Sequence, residues 1–167
     1  MGEDNYNQYL NKLKEVMDVE KNIVFFCIGT DRVIGDSLGP ITGSLLKEKY
    51  SDNVYGDLDE NITYENIEEK LYEINSKISN PYIVAIDAAL STEQNIGKIF
   101  LDNNGIDFGN SLGKNINCVG NVGIKVVVGK DFNDPNLNFK VLQNTSLSDI
   151  IKLSKKTFDG INLILNK

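Results

Sequence analysis

Two stretches of the chain are apolar at every position: Ile23-Val24-Phe25-Phe26-Cys27-Ile28 and, after Pro81, Tyr82-Ile83-Val84-Ala85-Ile86. They are too short for buried helices and rich in β-branched and aromatic residues, so they read as strands. A strand that is apolar on both faces belongs in the middle of a parallel sheet covered on both sides. Gly29 closes the first and Asp87 the second. Ile124 to Val128 is a third strong strand, with shorter ones at Lys98 to Leu101 and at Asn53 to Leu58, the latter containing Gly56.

Between the strands the apolar spacing changes to that of helices. Tyr6, Tyr9, Leu10, Leu13, Val16 and Met17 mark an opening amphipathic helix. A second helix follows the polar loop Thr30 to Gly35, with Leu38, Ile41 and Leu45 facing inward and Pro40 in the first turn, where a missing N–H costs least. Thr63 can cap a third, with Ile67, Leu71, Ile74 and Ile78 as its buried stripe. The last begins at the Ser146/Asp149 capping pair and carries Leu147, Ile150, Ile151, Phe158 and Ile161. Residues 102–122, rich in Gly and Asn, and Asp131 to Asn138, with Pro135, read as loops. Alternating strands and helices predict an α/β fold, a three-layer α/β/α sandwich with a mostly parallel sheet, in a single domain over residues 1–167.

Composition removes several functional classes. The formal charge is −7, from 17 Lys and Arg against 24 Asp and Glu, with no basic block, which argues against a nucleic-acid partner. The apolar runs are too short to span a bilayer. The acidic start Met1-Gly2-Glu3-Asp4 is unlike a signal peptide, and Tyr6 stands where a myristoylation start needs Ser or Thr, so a cytoplasmic location is expected. The cysteines Cys27 and Cys118 make neither a disulfide framework nor a metal pattern, and Cys27 reads as a small core residue. The chain has no histidine, which excludes His-based triads and His-ligated zinc. No cofactor is expected, and no tightly held transition metal.

Ligands of parallel sheets gather at the carboxyl ends of the strands. Two acids fall there, Asp36 in Gly29-Thr30-Asp31-Arg32-Val33-Ile34-Gly35-Asp36-Ser37-Leu38-Gly39-Pro40 and Asp87 in Asp87-Ala88-Ala89-Leu90. Two carboxylates held close cannot both ionise freely; one keeps a proton as an acid while the other activates water, chemistry suited to peptide hydrolysis. The same oxygens could hold a divalent cation, and Asp36 could instead cap the helix that follows it. Thr30, Asp31, Arg32 and Ser37, beside Asp36, and Asn121, ahead of the third strong strand, are candidate substrate contacts, although Asp31 and Arg32 also read as a local surface pair. Lys98, Lys125 and Lys130 read as solvated. The glycines match neither a phosphate-binding loop with Gly-Lys-Ser/Thr nor G-x-G-x-x-G.

The segments Cys27 to Arg32 and Gly35 to Pro40 resemble the opening of the YyaC family of sporulation proteins, and Val54 to Glu60, Ala85 to Ala88, Gly97 to Ile99 and Val141 to Leu147 are similar to later parts of it. That family is similar in turn to the germination proteases of spore-forming bacteria and to hydrogenase maturation peptidases. The resemblance implies a phosphorylase/hydrogenase-maturation type of fold, with Asp36 and Asp87 matching the two aspartates held to be catalytic in the germination proteases. In the hydrogenase peptidases the acids at these places and a His bind nickel; this chain has no His, so the resemblance points to the two-aspartate arrangement. Where the family often has Pro-Val-His this chain reads Asn61-Ile62-Thr63, and where it often has Pro-Pro-Val-Gly-Asp it reads Asn117-Cys118-Val119-Gly120-Asn121. The function implied is a sporulation- or germination-associated peptidase acting on a protein or peptide, with small spore proteins as candidate substrates. The alternative is a non-catalytic sporulation factor with the same fold that binds a protein partner. A phosphoacceptor domain fits less well, because receivers carry an acid pair directly after the first strand, where Gly29-Thr30 stands here.

Overall fold

The computed structural model describes residues 2–17, 20–108 and 117–166. Helix α1 (Gly2–Val16) is followed by β1 (Asn22–Cys27), then by a 3-10 turn at Ile34–Ser37 that runs directly into α2 (Leu38–Tyr50). Next come β2 (Val54–Tyr55), α3 (Ile67–Lys77), β3 (Pro81–Ser91), β4 (Ile99–Asp102), β5 (Ile106–Asp107), β6 (Cys118–Val119), β7 (Val122–Lys130), α4 (Pro135–Gln143) and α5 (Leu147–Leu165). Five strands form the central sheet in the order β2-β1-β3-β7-β4, and only β4 runs antiparallel to its neighbour. The pair β5–β6 makes a separate small ribbon.

Alternation along the strands divides the core into two faces, as a sheet covered on both sides requires. Ile23, Phe25 and Cys27 of β1 join Val84 and Ile86 of β3 in a cluster with Tyr9 and Leu13 of α1, Leu38 and Leu46 of α2, and Ile150 and Ile161 of α5. Val24, Phe26, Ile83 and Ala85 point the other way, onto Ile67 and Ile74 of α3 and onto Ile106 and Val119 of the ribbon. The result is the expected three-layer, mostly parallel α/β arrangement. Cys27 is a buried core thiol, as read from its strand.

Several local expectations need correction. The inner face of α2 is Leu38, Gly39, Thr42, Gly43 and Leu46; Ile41, half-buried, still packs against the core, while Leu45 is half-buried. Small residues there let the helix lie against the backbone: a Cβ at Gly39 would stand 1.9 Å from the carbonyl oxygen of Ile28. The strand expected at Asn53 to Leu58 is two residues long, because Gly56 turns away with φ +87°. Thr63 does not cap α3; Asn66 occupies that position, and its side chain accepts from the Thr63 amide. Ser146 stands at the N-cap of α5 without a side-chain capping bond. The loop expected after Asp131 contains α4, opened by Asp134, whose carboxylate accepts from the amides of Asn136 and Leu137, with Pro135 in the first turn. Part of the stretch 102–122 forms the short ribbon, and residues 109–116 of it lie outside the described residues.

Candidate active site

The order of the sheet creates the site. From β1 the chain crosses to β2 on one side, whereas β7 and β4 lie on the other side of β3. The switch point of this open sheet is therefore the crevice at the carboxyl ends of β1 and β3, where such folds bind ligands. In the pairing register β1 stops at Cys27, opposite Ile86, and the Ile28 amide adds one more bond to the Ile86 carbonyl at 2.8 Å. Asp87 is the next residue of β3, beyond the cover of β1. The strand does not end there as the sequence suggests: it continues to Ser91, paired with β7 alone from Asp87 onward. Alternation from Ile83 and Ala85 sends Asp87 to the α3 side of the sheet.

Asp36 reaches the same crevice through the turn after β1. Gly29, at φ +142°, swings the backbone out of the sheet, and its amide bonds the Ile62 carbonyl at 2.8 Å. The Thr30 amide then bonds the carbonyl of Asp36 at 3.1 Å, closing the loop on itself. Asp36 sits in the 3-10 turn, not at the N-cap of α2, which is Ser37. The capping role open to Asp36 from the sequence is thus filled by neither its position nor its side chain.

Asp36 and Asp87 line one cavity of about 60 Å³ together with Ile28, Gly29, Ile62, Thr63, Tyr64, Ile67 and Phe108. That volume accommodates a water or a carbonyl oxygen but no large side chain. Burial raises the Asp36 carboxyl above its usual range, opposed by the Thr30 backbone. Asp87 is raised well above that range, first by burial and next by the charge of Asp36, with the Ala88 backbone and Lys125 pulling the other way. Two carboxyls in unequal environments separate into a protonated and an ionised partner, with Asp87 the group that keeps its proton.

Thr63 and Tyr64 also line a cleft of about 630 Å³ on their outer side, together with Thr30, Asp31, Arg32, Leu58, Asp59, Asn61 and Glu65. Three of the predicted contact residues, Thr30, Asp31 and Arg32, therefore meet beside the aspartates. The Asp31 amide bonds Asn61 Oδ1 at 3.1 Å and the Arg32 amide bonds the Thr30 hydroxyl at 3.2 Å, and among the described residues no ion pair joins Asp31 to Arg32.

The other two candidate contacts, Ser37 and Asn121, bond the protein's own backbone instead. Ser37 is buried and its hydroxyl donates to the Ile34 carbonyl at 2.6 Å, because the 3-10 turn rotates it back into the loop. Asn121 brackets Ile83, its amide bonding the Ile83 carbonyl and its Oδ1 accepting the Ile83 amide. It lies four residues before Lys125, the partner of Asp87, or about 13 Å along the strand toward the amino end. Lys125 is not simply solvated: it is partly buried, faces Asp102 at 3.5 Å and acts on Asp87. Sequence reasoning missed Tyr64, a lone tyrosine in a polar turn; only its place next to the departure from the family's Pro-Val-His stretch could have drawn attention to it. Among the described residues no three His, Cys, Asp or Glu side chains cluster as a metal site, and no helix is long and apolar enough to cross a membrane.

Comparison with known proteins agrees with this architecture. The protein of Bacillus subtilis (strain 168) described as uncharacterized protein YyaC is 32% identical over 145 residues, which span 86% of this chain and 69% of that one. The fold is similar to that of the NiFe hydrogenase maturation protease HycI from Thermococcus kodakarensis KOD1, with a TM-score of 0.64 over 93% of this chain and 99% of the other. Sequence identity to HycI is 18%, so that likeness concerns the fold. The family model described as protein of unknown function (DUF1256) matches residues 2–160. The chain belongs to this family, the one that includes YyaC.

Proposed function

We propose that Asp36 and Asp87 form a proton-sharing pair that activates water for peptide-bond hydrolysis, in a cytoplasmic peptidase of sporulation or germination. The observation that carries this reading is that both carboxyls line one small, largely apolar cavity at the sheet's switch point, with the charge of one raising the other. Asp36, raised less strongly, is the base that takes a proton from water; Asp87 is the acid that protonates the leaving amine. The hydrogenase maturation protease fold and the resemblance to the germination proteases support a peptidase over other hydrolases. Among the described residues the outer cleft carries Asp31, Asp59 and Glu65 against the single base Arg32, which favours a cationic segment of substrate and fits basic proteins such as the small spore proteins.

A second reading, a non-catalytic sporulation factor that holds a protein partner in the same cleft, draws support from the exposed Leu58 and Tyr64 on its wall. Incubation with small spore proteins separates the two. Wild type is expected to yield discrete fragments, and Asp36→Asn and Asp87→Asn each to lose about 10²–10⁴ in rate. The double variant should lose little more, because groups that act as a unit fail together. Intact substrates with wild type, together with full complementation of a deletion strain by both Asn variants, would leave the binding role standing instead.

A further inference from the structure

A peptide bond attacked beside two carboxyls develops negative charge on its carbonyl oxygen, and something must donate to that oxygen. In the proposed step Asp87 keeps its proton for the departing amine, so a further donor to that oxygen would stabilise the transition state. Among the described residues the cavity wall contains no Lys or Arg, and most of its side chains are apolar. Lys125, the nearest cation by register, is drawn toward Asp102 at 3.5 Å. Among the described residues, the polar side chains on the wall apart from the two acids are those of Thr63 and Tyr64.

Tyr64 stands out between these two. Both residues line the cavity with Asp36 and Asp87 and also the outer cleft, but the Tyr64 phenol is the more acidic hydroxyl and hence the stronger donor. Its ring is held edge-on against Phe108, with centroids 5.6 Å apart at 84°. The turn that carries it is braced from both sides: Asn66 Oδ1 accepts the Thr63 amide at 2.8 Å, Asn66 Nδ2 donates to the Asn61 carbonyl at 2.9 Å, and Ile62 is bridged to Gly29.

We infer that Tyr64 is a catalytic residue of the proposed reaction, donating a hydrogen bond from its hydroxyl to the scissile carbonyl oxygen over the Asp36–Asp87 pair. This rests on the peptidase reading. The water oxygen bonds to the carbonyl carbon while its proton passes to Asp36, and the carbonyl π electrons move to the oxygen that Tyr64 holds. Tyr64 keeps its own proton throughout. Collapse re-forms the carbonyl and breaks the C–N bond, and Asp87 gives its proton to the departing nitrogen. Transfer of the proton on Asp36 to Asp87 restores the pair. The phenol suits this duty: although the residue as a whole is exposed, partial desolvation of its hydroxyl and the charges of Asp87 and Asp36 all push its pKa up, so it remains a donor across the neutral range.

The test compares wild type, Tyr64→Phe and Asp36→Asn on a proteome-derived peptide library read by mass spectrometry, followed by kinetics on one cleaved member. Tyr64→Phe keeps the ring on Phe108 and removes only the donor. It should lower kcat by about 100-fold with KM little changed and leave the melting temperature unaltered. Independently of activity, ring-carbon NMR with Tyr64→Phe for assignment should show Tyr64 titrating above an ordinary tyrosine, and lower in Asp36→Asn. If Asp36→Asn is inactive but Tyr64→Phe keeps wild-type kcat, the tyrosine's role is overturned and the peptidase reading stands. A tyrosine titration that ignores Asp36→Asn overturns the geometry on which the role depends. If wild type cleaves nothing in the library, the activity and this role fall together.

Discussion

Replacing Gly29 by alanine attacks the turn that delivers Asp36. A Cβ at Gly29 would lie 2.0 Å from the carbonyl oxygen of Asp36 and 3.0 Å from Pro40 Cδ. The obstacle is backbone, so it cannot rotate away as a side chain could. Gly29 also holds φ +142°, a region that costs a residue with a side chain roughly 1–3 kcal/mol. The usual gain of Gly→Ala from a stiffer unfolded chain, about 0.4–1 kcal/mol, is smaller than the strain and the clash together. The net loss expected is about 3 kcal/mol. For a chain of this size each kcal/mol moves the melting temperature by roughly 2–4 °C, so Gly29→Ala should melt about 6–12 °C below wild type. Thermal unfolding followed by circular dichroism, checked by urea titration, measures it. Since the clash is with Asp36 itself, the variant should also lose the Asp36–Asp87 coupling. A melting temperature within about 1 °C of wild type, with coupling intact, would refute the claim that this turn fixes Asp36.

Asn5→Ala should destabilise by about 2 kcal/mol, because the Asn5 side chain is buried and bonds both the amide and the carbonyl of Ile99 on the outer strand β4, leaving two backbone groups unpaired when removed; urea unfolding of the variant checks this. Asp87→Asn should raise stability at neutral pH. Burial and the charge of Asp36 raise the native pKa of Asp87, so the folded chain holds a proton that the unfolded chain releases near pH 4, and this contribution is lost as pH rises through the native value. Asp57, held low through its bond to Lys47 and the amides of Glu60 and Asp59 despite burial, acts oppositely and loses its contribution as pH falls. Urea midpoints from pH 4 to 8 should therefore decline more in wild type than in Asp87→Asn; parallel curves contradict the assignment.

The parts of the fold that rest on burial were legible in the sequence. β1 and β3 announce themselves because strands covered on both faces must be apolar throughout, and the stripe of α3 because Ile67 and Ile74 must meet the sheet. What failed depended on backbone geometry or on groups distant in sequence. The extension of β3 past Asp87 comes from pairing with β7, which Ala88 and Ala89 do not advertise. The two-residue strands β5 and β6 exist through each other, within a stretch of low β propensity. α4 is readable, since Asp134-Pro135 is a cap followed by a first-turn proline, but Pro135 is equally a loop marker. In the site, Asp36 and Asp87 came from strand ends, where chemistry and topology coincide. The direction in which Ser37 points is set by a 3-10 turn that spacing cannot reveal, and Asn121 is tied to Ile83, 38 residues away.

The coupling of the two carboxyls is the claim on which the functional reading depends. Side-chain carboxyl carbons of Asp36 and Asp87 can be followed by NMR through a pH titration of wild type and of Asp36→Asn. Asp87 should titrate well above an ordinary aspartate in wild type and at lower pH in Asp36→Asn, since burial remains but the neighbouring charge is gone. An Asp87 that titrates in the usual carboxylate range, or whose titration is unchanged by Asp36→Asn, would contradict a shared acid–base pair.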